Sequence, residues 1–274
     1  MNYSQSQHLR GIDLGATGSH KGQNGRLLII GGSHLFHAAS IWALQVASRI
    51  VDLVHYASVP ENNEIVAKAK EEFRNGIVIS RSDIDAYIEE DDCILIGPGM
   101  TRDSETETLT HRVLSRYPNK QWVIDAGALQ MLQLADIPKG AILTPHHGEF
   151  ATLWEKRGKN DAQTDDEKVA AFAKEYACIV LLKGEKDIVC GKNGECEVIE
   201  GGNAGMTKGG TGDVLAGLIA ALACKNDAFA SARAGSYINK YAGDTLYKTV
   251  GPFFNASDLA AEIPKVMKSL LVTD

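Results

Sequence analysis

Gly202-Asn203-Ala204-Gly205-Met206-Thr207-Lys208-Gly209-Gly210-Thr211-Gly212-Asp213 runs directly into Val214-Leu215-Ala216-Gly217-Leu218-Ile219-Ala220-Ala221-Leu222-Ala223-Cys224. A glycine-rich turn thus feeds an almost wholly apolar helix. Glycine accepts positive φ and has no side chain to hold a ligand away from the backbone. Free N–H groups at such a turn, added to those of the helix N-terminus, form a cradle for phosphate or a developing oxyanion. One carboxylate, Asp213, stands at the junction. It is either an N-cap, a common use of Asp at a helix start, or a general base beside a phosphate site. Ala216, Gly217 and Ala220 are small enough to let another backbone approach the helix closely.

Upstream of this stretch, apolar runs alternate with helix-compatible segments. Arg26–Ser33 is closed by Gly31-Gly32-Ser33, and Leu53–Val59 is ended by Pro60. Ile77–Ile79, Cys93–Ile96, Trp122–Ile124 and Ala141–Leu143 follow, with helical spacing over 38–50, 61–75, 82–90, 103–117 and 127–135 between the runs. Strands alternating with helices imply a mostly parallel sheet covered on both faces. Past a helical region at 155–177, Ile179–Gly184, Lys186–Cys190 and Glu197–Ile199 are closely spaced. Gly191-Lys192-Asn193-Gly194 joins the last two, a hairpin signal that predicts an antiparallel edge. Helices over 209–224, 227–248 and 256–271 complete the α/β pattern. No repeat or linker interrupts it, so one domain over 1–274 is expected, with a polar lead-in at 1–20.

The strand ends carry the chemistry: Gly31-Gly32-Ser33, Gly97-Pro98-Gly99, Asp125-Ala126-Gly127 and Thr144-Pro145-His146-His147-Gly148-Glu149. Ligands of open α/β sheets bind outside the carboxyl ends of the strands, so these tips should converge on one crevice. Gly31-Gly32-Ser33 lacks the G-x-G-x-x-G spacing of a dinucleotide fold, and no Gly-Lys-Ser/Thr opens a helix as in a P-loop. Lys183-Gly184-Glu185-Lys186-Asp187 is either a solvated turn or a rim for nucleotide phosphates or ribose. His34 and His37 lack a local carboxylate or third His, so a metal held by side chains alone is not expected.

Composition narrows the partners. A net charge of −7 argues against a duplex-binding surface, and no nucleic acid is expected. The polar N-terminus has no signal-peptide core, and the longest apolar run, Val214–Cys224, is too short for a bilayer. Cys93, Cys178, Cys190, Cys196 and Cys224 are odd in number and form no C-x-x-C pair. Reduced thiols in a cytoplasmic protein are the expectation.

These motifs together make the chain similar to the NAD(P)H-hydrate dehydratases of the ribokinase-like superfamily, from about Lys21 to Cys224. Many sugar and vitamin kinases share the Gly-Asp turn. Thr144-Pro145-His146 with Gly148-Glu149-Phe150, joined to Gly209-Gly210-Thr211-Gly212-Asp213, is more specific to the dehydratases. The resemblance implies a ribokinase-like fold and repair of hydrated NADH or NADPH. Phosphate from ADP (or ATP) is transferred to the ring hydroxyl and then leaves with it. It implies Asp213 as the base and the amides of Gly210, Thr211 and Gly212 as the anion hole. Ala39, Gly99, His146 and Asp213 match positions that contact hydrated cofactor; Lys183, Gly184, Glu185, Lys186, Asp187 and Gly212 match nucleotide-contacting positions. Mg²⁺ with few direct protein ligands is implied, and a homo-oligomer is expected because relatives often assemble. Two departures stand out: the family usually has Pro at His147 and Gly-Ala at Ala38-Ala39. A vitamin-precursor kinase on the same fold is the alternative.

Overall fold

Nine short strands lie side by side in the order β3-β2-β1-β4-β5-β6-β7-β8-β9. They are β1 (Arg26–Ile30), β2 (Leu53–Ala57), β3 (Ile77–Val78), β4 (Cys93–Ile96), β5 (Gln121–Ile124), β6 (Ile142–Leu143), β7 (Ile179–Leu182), β8 (Asp187–Cys190) and β9 (Cys196–Ile199). The structure is a computed structural model and describes residues 7–15, 18–159 and 162–272. Residues 1–6, 16 and 17 of the polar lead-in lie outside the described residues, as do 160 and 161 of the expected 155–177 helical region. The β1 to β7 pairings are parallel, while β7–β8 and β8–β9 are antiparallel, as the Asn-Gly turn implies.

Ten α-helices cover the sheet among the described residues. They are α1 (Ala38–Ala47), α2 (Pro60–Ala69), α3 (Ile84–Glu90), α4 (Ser104–Arg116), α5 (Ala126–Met131), α6 (His147–Arg157), α7 (Asp165–Glu175), α8 (Thr211–Ala223), α9 (Ala228–Val250) and α10 (Ala256–Leu271). Alternation along the strands divides the core in two. Leu27 and Ile29 of β1 join a cluster with α1, α8, α9 and α10, while Leu28 and Ile30 join one with α3 to α7. Each such side chain, fully buried, contributes roughly 1.5–3 kcal/mol. Helix α8 lies deepest, with eleven of its residues buried. A Cβ on Gly217 would stand 2.6 Å from Ala43 Cα, so α8 crosses α1 nearly backbone to backbone. The apolar helix is therefore held at a set depth, with its N-terminus directed at the strand tips.

Two expectations are corrected. The 155–177 region is two helices, because α6 begins at His147 and stops at Gly158 in the left-handed region, and α7 restarts at Asp165. Its start precedes the expected region, with His146 as the cap in place of the more usual Ser, Thr, Asp or Asn. The thiols are not all reduced: Cys190 and Cys196 are disulfide-bonded, and Cys93, Cys178 and Cys224 are free. The hairpin turn puts Cys190 directly opposite Cys196 in the β8–β9 register, where side chains are neighbours. No helix among the described residues is long and apolar enough to cross a membrane.

Candidate active site

A crevice of about 880 Å³ opens where the tips of β5, β6 and β7 meet the N-terminus of α8. The turn entering α8 is held from within. Thr211 Oγ1 donates to Met206 O (2.6 Å) and Lys208 O (2.9 Å), and Gly210 takes φ +97° at the N-cap. The first helical bond joins Val214 N to Gly210 O at 3.0 Å. The amides of Gly212 and Asp213 precede it and have no carbonyl partner within the helix. Thr211 N closes onto Lys208 O at 3.4 Å and the Asp213 amide serves its own carboxyl, which leaves the amides of Gly210 and Gly212 without a partner among the described residues. Asp213 is the third residue of the helix, not its cap. Its carboxyl is pushed up to about 7, first by burial and then by the charge of Asp125; Lys183 and its own amide pull the other way.

Lys183 is the cation of this cluster. Its Nζ donates to Asp125 Oδ1 at 2.9 Å, and Thr144 Oγ1 donates to the same oxygen at 2.8 Å. Burial opposes the ammonium charge, but Asp125, Glu149 and Asp213 outweigh it and raise the Lys183 pKa. A Cβ on Gly212 would lie 3.5 Å from Lys183 Nζ, which places the cation beside the α8 amides. The parallel bridge from His146 to Lys183 extends the β6–β7 pairing to the crevice wall. Asp125 is 2% exposed, so Lys183→Ala leaves a buried carboxylate uncompensated. That substitution is expected to destabilise the fold by roughly 3 kcal/mol, read as a fall in Tm; an unchanged Tm would show that the pair does not hold the site together.

His146 caps α6. Its Nδ1 accepts from Glu149 N (3.1 Å), and Glu149 Oε2 accepts from His146 N (2.9 Å). A ring whose Nδ1 accepts carries its proton on Nε2 when neutral, so His146 presents an N–H donor at the crevice. Glu149 is itself engaged, since Gln130 Nε2 donates to its Oε1 at 2.7 Å. His147 turns outward toward Asp165 (Nε2 to Oδ2, 3.4 Å).

The segment from Lys183 to Asp187 divides into rim and anchor. Lys186 is exposed and paired with Glu200 at 2.6 Å, and Glu185 is exposed. Asp187 is buried: it accepts from Gly184 N (2.9 Å) and Ser236 Oγ (2.7 Å), so it shapes the loop from beneath. Lys240, which the sequence does not mark, lies under the same loop. Its Nζ donates to the carbonyls of Gly184, Glu185 and Gly201. Ala39 and Gly99 are not on the crevice wall. Gly99 follows the neighbouring β4 tip and Ala39 lies at the start of α1, so that a Cβ on Gly99 would be 3.1 Å from Ala39 Cβ, and Gly32 N donates to Pro98 O at 2.7 Å. The wall also carries Asp125 and Glu149, which the sequence placed among the converging strand tips without a role of their own, and Asn239 and Lys240, which no sequence expectation marked. Asp125 and Glu149 had a signal, because both lie in strand-tip motifs; Lys240 sits in a long helix with none.

A mostly parallel sheet with this edge, and a glycine turn delivering a helix N-terminus to its strand tips, place the protein in the ribokinase-like α/β class. The chain belongs to the NAD(P)H-hydrate dehydratase family, whose sequence profile matches residues 27–265. It is 37% identical over 267 residues to the ADP-dependent (S)-NAD(P)H-hydrate dehydratase of Nitrosopumilus maritimus, covering 91% of each chain. It is 38% identical over 260 residues to the bifunctional NAD(P)H-hydrate repair enzyme Nnr of Methanocaldococcus jannaschii, covering 91% of this chain and 49% of that protein. The chain thus spans about half the length of the bifunctional relatives it matches. The fold is also that of the Bacillus subtilis ADP/ATP-dependent NAD(P)H-hydrate dehydratase co-crystallized with ATP/Mg²⁺, at 24% identity, TM-score 0.81 and 97% coverage of both chains.

Proposed function

We propose that this protein dehydrates hydrated NADH or NADPH, using ADP or ATP to turn the ring hydroxyl into a phosphate leaving group. The observation that carries this reading is the Asp213 carboxyl, raised to about 7 at the mouth of the α8 amides and facing a crevice shared with His146 and Lys183. A general base is most effective with a pKa near the working pH. Asp213 takes the proton of the ring hydroxyl, whose oxygen attacks the terminal phosphorus of the nucleotide as the bond to the bridging oxygen breaks. The amides of Gly210 and Gly212 receive the charge that develops on the phosphoryl oxygens. The phosphate ester then leaves with the electrons of the C–O bond, and loss of a proton from the neighbouring ring carbon restores the double bond. His146, through its Nε2–H, and Asp213 face the hydrated ring; the loop from Lys183 to Asp187 and Gly212 face the nucleotide. Ala39, from the start of α1, and Gly99, from the adjoining β4 tip, would meet the far side of the ring.

Among the described residues no group of three or more His, Cys, Asp and Glu could hold a metal ion. Asp125 and Glu149 are already engaged with Lys183, Thr144, Gln130 and the His146 amide. These side chains make no cage for Mg²⁺, so the ion fits only as part of a Mg–nucleotide substrate.

The test is to incubate hydrated NADH or NADPH with the protein, Mg²⁺ and ADP, ATP or no nucleotide. Recovery of the reduced-nicotinamide absorbance, with one phosphate released per cofactor restored, is the expected result. A stable phosphorylated product without recovery would identify a small-molecule kinase instead. No recovery with either nucleotide would overturn the dehydratase reading.

A further inference from the structure

Along the face of α9 that meets the crevice, the polar side chains are satisfied by protein with one exception. Ser236 Oγ donates to Asp187 Oδ2 at 2.7 Å, and Lys240 Nζ donates to Gly184 O, Glu185 O and Gly201 O at 3.0–3.2 Å. One turn on, Gly243 takes the Met206 thioether against its backbone, where a Cβ would stand 2.3 Å from Sδ. Asn239 lies three residues after Ser236 and four before Gly243, hence on the same face. It is 4% exposed, and its Oδ1 is buried with no hydrogen-bond partner among the described residues. Of the seven buried side-chain polar atoms without a partner among the described residues, only Asn239 Oδ1 belongs to a residue of the crevice wall.

Buried polar groups are almost always hydrogen-bonded, so an unpartnered amide oxygen on a residue of a ligand-sized crevice points to a partner that the ligand brings once the side chain turns to it. We propose that Asn239 reads the nucleotide base and selects adenine. The inference rests on the nucleotide-dependent reading above. A nucleotide whose terminal phosphates sit at the α8 amides has to lay its ribose and base along the rest of the crevice. That part is lined by Gly201, Gly202, Leu215 and Asn239. A carboxamide offers an acceptor and a donor side by side, which pairs bidentately with the adenine 6-amino group and N7. Hypoxanthine and guanine present two acceptors on that edge, so one end of the amide always opposes an acceptor. Asn239 is thus a specificity-determining residue, remote from the phosphoryl chemistry at Asp213.

Binding of Mg–ADP, Mg–IDP and the diphosphate of purine riboside, which lacks the 6-amino group, is measured by calorimetry on the intact protein. Wild-type protein is expected to bind ADP at least about tenfold more tightly than either analogue. Asn239→Leu is expected to weaken ADP by a similar factor and bring the ADP-to-IDP ratio to within about twofold of unity. Asp213→Asn should keep the wild-type ratio. Equal binding of the three ligands by wild-type protein overturns the assignment and needs no variant to fold. So does an unchanged ratio in Asn239→Leu. Both results leave the dehydratase reading standing, because cofactor recovery is scored separately. Absence of any nucleotide binding would remove both.

Discussion

Asp213→Asn is expected to lower kcat on the order of 10²–10⁴ with only a modest change in nucleotide affinity. The amide has nearly the volume of the carboxylate and can still accept a hydrogen bond, but it cannot take the hydroxyl proton. Single-turnover kinetics with hydrated cofactor and Mg–ADP separates the two effects; a variant that turns over normally would end the general-base assignment. The pH profile provides an independent check. The base acts deprotonated and its carboxyl lies at about 7, so wild-type activity should fall as pH drops through about 7. Stability runs the other way. The folded-state value lies above the ordinary 3.8, so the native state is favoured below that value. It loses this stability as pH rises to about 7, and beyond that the buried charge costs in full. Asp213→Asn removes the cost, and at alkaline pH the variant should melt above wild type. An unaltered Tm would show that the carboxylate is not strained by its surroundings.

Gly210→Ala is expected to damage the same site through the backbone. The residue sits at φ +97°, and a Cβ there would lie 2.3 Å from Trp42 Cζ3, 2.4 Å from Cε3 and 2.8 Å from Ala256 Cβ. Trp42 cannot swing aside freely, because its Nε1 donates to Ser257 Oγ at 3.0 Å. The turn has to move, at a cost of about 2 kcal/mol or more in stability. The outward amides move with it, and losing one such donor typically costs 10²–10³ in kcat. Gly209 is the internal comparison, since a Cβ there meets nothing within 4 Å. Gly209→Ala should change Tm little. If the two variants lose stability equally, the packing of Trp42 beneath Gly210 does not set the turn.

The α/β fold and the turn with its carboxylate were legible because both depend on local pattern. Short continuous apolar runs, helical segments between them and an Asn-Gly hairpin each act over a few residues, so Arg26–Ile30 and Asp187–Ile199 could be read without knowing their neighbours. The start of α6 lies before the expected 155–177 region because helical spacing set that region, whereas the helix begins at the strand tip, where His146 Nδ1 accepts from Glu149 N and Glu149 Oε2 accepts from His146 N. The Cys190–Cys196 bond could have been found, since the predicted hairpin turn sets their register.

Sequence alone determined which strand tips carry polar chemistry and that Asp213 stands where a glycine turn becomes a helix. Tertiary structure alone decided what each of those groups faces. It clamped Lys183 to Asp125, turned Asp187 beneath its own loop and set Lys240 under the crevice. It kept Ala39 and Gly99 off the wall and left Asn239 on the wall with its Oδ1 unpartnered among the described residues. The physical reason is separation along the chain. Lys183 lies 58 residues from Asp125, and Lys240 lies 56 from Gly184. Charge pairing and burial act through space, and only the packed sheet brings such residues within hydrogen-bond reach.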